Sequence, residues 1–183
     1  NKAPVFADVL ELKDGRILER DYIPIYINQV YKGHLWDYTD ITQRKMYENK
    51  LVDLTSMQNA ILNGTDYSII YTEPNGLIKS FNRGAEKMLG YSADEIENKV
   101  SPAIFHETAE VVTKARELTK ELGVEVSAGF DVFITKSKSN ITETNEWTYI
   151  KKDGGRLAVM LSVSSIRNSA NDIIGYLGIA RDI

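Results

Sequence analysis

The 183-residue chain contains no cysteine, which removes disulfides, thiolate metal sites, cysteine nucleophiles and thiol-adduct photochemistry together. Histidine is almost as scarce. His34 and His106 stand far apart in the sequence, and two isolated imidazoles make a poor zinc site. Long apolar runs are missing too: residues 157–161 form the longest, far short of the roughly 20 residues that span a bilayer. Positive charge is in deficit, with 22 Lys and Arg against 26 Asp and Glu, which argues against a phosphate-binding surface and predicts no nucleic-acid partner. No nucleophile elbow, Walker loop, paired His-Glu motif or kinase signature is present, so no catalytic residue is assigned. The remaining composition, 43% apolar and 26% charged, is that of a folded soluble protein. No leader pattern is visible and the chain starts at Asn1 rather than Met, so a cytoplasmic fragment is expected, with no membrane contact of its own.

A repeat lies inside the chain. Lys13-Asp14-Gly15 opens a segment ending Gly33-His34-Leu35-Trp36-Asp37-Tyr38-Thr39-Asp40-Ile41, and Lys152-Asp153-Gly154 opens another ending Gly175-Tyr176-Leu177-Gly178-Ile179-Ala180-Arg181-Asp182-Ile183. In each, Asp-Gly separates two strand-like runs, a hairpin signal. Each copy therefore reads as a three-stranded antiparallel meander, the second with three extra residues. A lone meander buries one face only if something covers it. Residues 1–41 are accordingly read as the end of one domain, residues 42–62 as a linking helix, and residues 63–183 as a complete second domain. Ile23, Ile25, Ile27, Leu35 and Trp36 are expected to form an apolar face that packs on a partner.

Between the copies, residues 40–62 lack Gly and Pro. Tyr47, Leu51, Leu54, Gln58 and Ile61 step by 4, 3, 4 and 3, which suits either a helix lying on its own sheet or the seam of a parallel dimer. Asp40 and Gln43 have capping-box spacing. Beyond Gly64, strands are expected at 67–72 and 77–81, a short helix capped by Asn82 and ended by Gly90, and another opened by the Ser92–Glu95 capping box. Ser101-Pro102 suits a helix start. A longer helix follows over 107–122, then strands at 129–135, 146–151, 157–166 and 173–181, with a mobile loop at 136–144. This order is α+β with one antiparallel sheet.

These residues resemble a known family. The run from Asn82 to Ile96 is similar to the helical signature of PAS domains, and residues 147–154 with 175–183 to the matching PAC segment. Phe105-His106-Glu107 through Gly123, with residues 129–133, resembles a subgroup common in bacterial multi-PAS signalling proteins, of the sensor histidine kinase or diguanylate cyclase type. Asp40-Ile41-Thr42 looks like the motif closing many PAS domains, and Asp182-Ile183 like its second copy. The resemblance implies the α+β PAS fold, an antiparallel five-stranded sheet with short helices and one long helix on one face, and a sensor and dimerisation module. Homodimers would pass a signal through paired helices to an output domain of the same polypeptide. Asp40, Thr42 and Asp182 are the implied relay residues; a plain helix cap is the competing account of Asp40.

A PAS core either encloses a ligand or is simply filled. Tyr71, Phe81, Met88, Phe105, Val111, Ala115, Phe130, Trp147, Tyr149 and Met160 are the candidate pocket residues, and a packed core explains them equally well. The cofactor is not specified. Haem would require His106 as its axial ligand, a position that also suits a helix start; absent cysteine excludes adduct-forming flavin, and non-covalent flavin, haem and metals are all disfavoured. The alternative function is a ligand-free dimerisation and relay spacer.

Overall fold

The computed structural model describes residues 3–183. They form β1 (Val5–Glu11), β2 (Ile17–Ile27), β3 (Val30–Asp40), α1 (Thr42–Asn63), β4 (Ser68–Thr72), β5 (Ile78–Phe81), α2 (Arg83–Leu89), α3 (Ala93–Ile96), α4 (Thr108–Leu122), α5 (Asp131–Ile134), β6 (Glu143–Ile150), β7 (Arg156–Arg167) and β8 (Ile173–Asp182). Two compact units result, one ending at Asn59 and the other running from Ala60 to Ile183.

The first unit is the meander β1-β2-β3, followed by most of α1. The Asp-Gly turn works as its chemistry requires. Gly15 adopts φ +89°, the Leu12 and Arg16 backbones close the hairpin, and the Asp14 carboxylate accepts from Arg16 N. Asn28 and Gln29, both at positive φ, form the second, two-residue turn. Successive side chains alternate between faces. Ile23 pairs with Leu35, and Tyr22 with Trp36, so Trp36 lies opposite the Ile23, Ile25 and Leu35 face rather than within it. Trp36 joins Tyr22, His34 and Tyr38 in an aromatic ladder, with Arg20 4.7 Å above its ring. Both faces are largely open; among the described residues up to Asn59, only Ile41, 3% exposed, is fully buried.

The second unit is a five-stranded antiparallel sheet in the order β5-β4-β8-β7-β6, the expected α+β architecture. Its core joins the inner sheet face to α2, α3 and α4 through Ile70, Ile78, Phe81, Leu89, Ile96, Phe105, Val111, Leu118, Trp147, Tyr149, Val159 and Leu161. The cap residues act as their types predict. Asn82 Oδ1 accepts from Ala85 N and from Ile69 N, and its Nδ2 donates to the Leu62 and Tyr67 carbonyls. One buried amide thus starts α2 and fixes β4 beside it. Gly90 and Gly123 end α2 and α4 in the left-handed region, where glycine carries no Cβ penalty. The Ser92–Glu95 capping box forms, and Glu95 also meets Lys152 Nζ at 2.6 Å.

One local expectation is corrected and another is refined. Residues 129–135 are not a strand: Asp131–Ile134 is a helical turn, with Thr135 N and Oγ1 both donating to the Asp131 carbonyl. Short apolar runs fit a strand or a buried helical turn equally, and here local bonding decides. The connection expected at 136–144 carries local structure. Ser137–Ser139 is a 3-10 turn, Ser137 is buried, β6 has begun by Glu143, and Lys136 Nζ sits 2.9 Å from Glu121 and 2.7 Å from Glu143.

The internal repeat extends to individual bonds. Lys151 N, Gly154 N and Gly155 N repeat the turn bonds of Leu12, Gly15 and Arg16. Ile25 pairs with Gly33 and Ile166 with Gly175; Leu18 pairs with Asp40 and Val159 with Asp182. A β-bulge follows Ile25 and another follows Ile166, so the ladder is broken at the same place relative to the glycine in both copies.

Candidate functional site

Strand alternation decides which predicted pocket residues meet. Trp147 and Tyr149 point inward from β6, Val159 and Leu161 from β7, and Tyr176 and Ala180 from β8, all buried. Phe81, Phe105, Val111 and Ala115 also lie in the core, with Met88 packed against it. Tyr71 and Met160 do not belong to it. Buried Ser68, Ile70 and Thr72 take the inner face of β4, and Val159 and Leu161 that of β7, so the period of two sends Tyr71 and Met160 to the opposite face. The Tyr71 hydroxyl there donates to the Ile174 carbonyl.

Between the sheet and the α5 turn lies a cavity of about 30 Å³, lined by Ile70, Thr72, Pro102, His106, Phe130, Phe133, Tyr149, Leu161, Val163, Tyr176 and Gly178. Of the residues proposed from sequence as pocket, only Phe130 and Tyr149 line it. The other lining residues were missed because their inward orientation depends on parity and on a helical turn read as strand. The Gly178 position offered a signal: a glycine within an apolar strand marks a close approach or an open space.

His106 is held between the rings of Phe133, Trp147 and Tyr149, with centroids 4.1, 5.4 and 4.9 Å away. Its Nδ1 lies 3.0 Å from the Pro102 carbonyl. A carbonyl only accepts, so Nδ1 carries the proton and Nε2 presents a lone pair. Burial pushes the imidazole pKa down to about 4, the Pro102 carbonyl opposing that shift, and the ring is neutral at physiological pH. Burial also raises the Tyr149 phenol. Among the described residues, His106 Nε2 and Thr72 Oγ1 are buried without a hydrogen-bond partner.

The fit to larger cofactors can be tested on this cavity. Drug-sized ligands occupy roughly 300–1,000 Å³, and a flavin or haem does not fit about 30 Å³. No cluster of three or more metal-ligating side chains occurs among the described residues.

The strand-to-helix junction is a second focus. Thr42 N and Oγ1 both donate to Asp40 Oδ1, at 2.9 and 2.5 Å. Thr42 Oγ1 in turn accepts from Ile17 N at 2.9 Å. These Thr42 bonds lower the Asp40 pKa. The cap therefore runs to Thr42 rather than through a box with Gln43, and it ties the start of α1 to β2. Asp182 occupies the corresponding pairing position opposite Val159.

An antiparallel sheet of this strand order, with helices on one face above a small internal cavity, defines the class: an α+β domain built to surround its own core. The PAS domain family matches residues 66–183, and the chain belongs to that family. It resembles the PAS domain of a Colwellia psychrerythraea protein at 21% identity and TM-score 0.51, over 71% of this chain and 96% of that one. It also resembles the PAS domain of an HTR-like protein from Haloarcula marismortui at 22% and 0.54, over 76% and 99%. An RNA-binding light-oxygen-voltage receptor shares the fold at 15% and 0.52, over 70% of this chain and 33% of that one. These likenesses concern the fold alone. No curated protein matches the chain. Among the described residues, no helix is long and apolar enough to cross a membrane.

Proposed function

We propose that the chain is a cytoplasmic sensory segment of a bacterial multi-PAS signalling protein. In this reading residues 1–41 are the last strands of a preceding PAS domain, and the second unit detects a signal. Helices paired in a homodimer relay it to a kinase or cyclase output domain elsewhere in the polypeptide. The single observation that carries the reading is that turn bonds, hairpin pairing and bulge recur in two meanders, the first of which passes through Asp40, Ile41 and Thr42 directly into α1. Thr42 fastens that helix to β2, so a shift of the sheet must turn or translate the helix start. Tyr47, Leu51, Leu54 and Ile61 leave an apolar stripe along α1, each more than half exposed, which suits a parallel seam.

The cysteine-free chain allows a direct test. Leu51→Cys and Leu54→Cys are expected to form intermolecular disulfides under mild oxidation, and Ser56→Cys, on the far side of the helix, is not. Equal crosslinking from all three, or a monomer in light scattering, overturns the dimer. An Asp40→Ala parent protein with normal output regulation overturns the relay. The small size of the cavity favours a second reading, a ligand-free spacer that only dimerises and relays.

A further inference from the structure

We propose that the free edge of β6 beside α4 is a docking groove for an extended, lysine- or arginine-bearing segment of another protein, which joins the sheet as a sixth strand. This interaction surface goes beyond the sensory reading and does not depend on the helix seam. β6 is the last strand of its sheet, and its pairing with β7 runs without a break from Glu143 to Ile150. One end of its free edge is already taken. His106 forms an isolated antiparallel bridge with Tyr149, and Glu107 N donates to the Thr148 carbonyl at 3.0 Å. Thr148 N and Oγ1 donate to the Glu110 carboxylate at 2.8 and 2.6 Å. A further strand thus begins at His106 and stops at once, because the chain turns into α4 at Thr108.

Beyond Thr148 the same edge continues unpaired. In an antiparallel pair, alternate residues point their N–H and C=O away from the neighbouring strand, and Thr148 shows which set does so here. Glu146 and Thr144 therefore present both backbone groups on the line that His106 and Glu107 leave off. Among the described residues, no hydrogen bond from outside the β6–β7 ladder reaches them. β6 has neither the proline nor the bulge that closes many exposed edges. α4 forms the far wall of a groove of about 550 Å³ along this edge, where Ala109, Thr113 and Ala158 leave room for a backbone. The charged residues lining it are Glu110, Glu117 and Glu146 against Lys114 alone, and Lys114 pairs with Glu117 at 3.4 Å. Glu110 is held by Thr148, so exposed Glu146 is the carboxylate left to meet a cation. The excess of acid also opposes pairing with the same edge of a second copy, because like charges across a strand pair destabilise it. Main-chain hydrogen bonds would supply the affinity and the acids would select the sequence.

The probe is a blocked peptide of alternating lysine and valine, titrated into the ¹⁵N-labelled full chain. Saturable shifts of the Thr144 and Glu146 amides are expected, with slower hydrogen exchange there and weaker binding at high salt. Glu146→Pro removes the donor while sparing the β7 ladder, at an edge position that tolerates proline, and should abolish the shifts. Thr113→Trp, at an exposed position of α4, fills the groove without touching β6 and should do the same. Glu146→Gln should weaken binding about threefold, and a peptide of alternating glutamate and valine should not bind. No saturable shift at millimolar peptide, undiminished binding by either Glu146→Pro or Thr113→Trp, or equal binding of the acidic peptide overturns the proposal. Shifts of the same amides with protein concentration alone would assign the edge to a second copy and overturn it as well. The readout lies within the second unit, so the helix-crosslinking result can fail without affecting it, and the reverse.

Discussion

The two meanders share turn bonds, the pairing within each hairpin and the bulge, the middle strand of the second being two residues longer between turn and bulge, yet one lies in a packed core and the other does not. Inner-face positions of β8 and β7 show what differs. Tyr176, Gly178 and Ala180 pair along β8 where the first copy has His34, Trp36 and Tyr38; Leu161 and Val163 stand where it has Arg20 and Tyr22. Small and aliphatic residues let α2, α3 and α4 close on the sheet of the second unit. Large aromatic and charged residues give the first copy a face of rings tilted or edge-on against one another. The backbone pattern is therefore independent of the core, being written into Asp-Gly turns, strand lengths and a glycine at the bulge. Side-chain volume decides whether the pattern becomes half of a closed domain.

The largest effect should come from an equivalent pair. Tyr149 and Leu10 occupy the same place, each opposite a leucine of the next strand, but Tyr149 is fully buried and Leu10 only partly. Tyr149→Ala should cost about 3–5 kcal/mol and Leu10→Ala about 1 kcal/mol. Each unit holds one of the two tryptophans, so Trp36→Phe and Trp147→Phe backgrounds let urea unfolding be followed one unit at a time. Equal costs would show that the first meander is packed as tightly as the second.

His106 should come next. Its folded pKa, about 4, lies below the ordinary 6.5. The unfolded chain therefore takes up a proton as pH falls through 6.5, whereas the folded chain stays neutral until about 4. The His106 contribution to stability is lost across that window, by about 3 kcal/mol in all, and levels off below it, where carboxylates held down by their partners, Glu95 and Asp40 among them, carry the further loss. His106→Gln should remove this slope whatever it does to stability at pH 7. An unchanged slope would mean that the imidazole is wetter than its surroundings indicate.

The smallest effect concerns the junction. Thr42→Val removes the hydroxyl that links Ile17 N to the Asp40 carboxylate, a loss of about 1 kcal/mol, together with faster amide exchange at Ile17 and at the first turn of α1. If exchange at Ile17 is unaltered, the helix start is held by the buried Ile41 instead, and Asp40 is only a cap.

Much of this was legible in the residues. Asp14-Gly15, Asp153-Gly154, Asn82, Gly90, Ser92 to Glu95 and Gly123 each dictate a local conformation within a few positions, and the structure has those turns, caps and stops. The α+β class follows from their order. The α5 turn was not legible, because Phe130 to Ile134 satisfies two periodicities over too short a run. The face of Trp36, Tyr71 and Met160 was not legible either, because alternation divides a strand into two sets without saying which set faces inward.

The sequence by itself determined the local code: turns, caps, the repeated meander, and the exclusions that follow from absent cysteine and scarce histidine. These are set by neighbours within a few residues, where backbone sterics and side-chain hydrogen bonds act. Only the tertiary structure decided that Thr72, His106 and Gly178 share a cavity and that Tyr71 and Met160 do not. That outcome depends on which sheet face the helices cover, a choice made by the summed volume and polarity of residues more than a hundred positions apart.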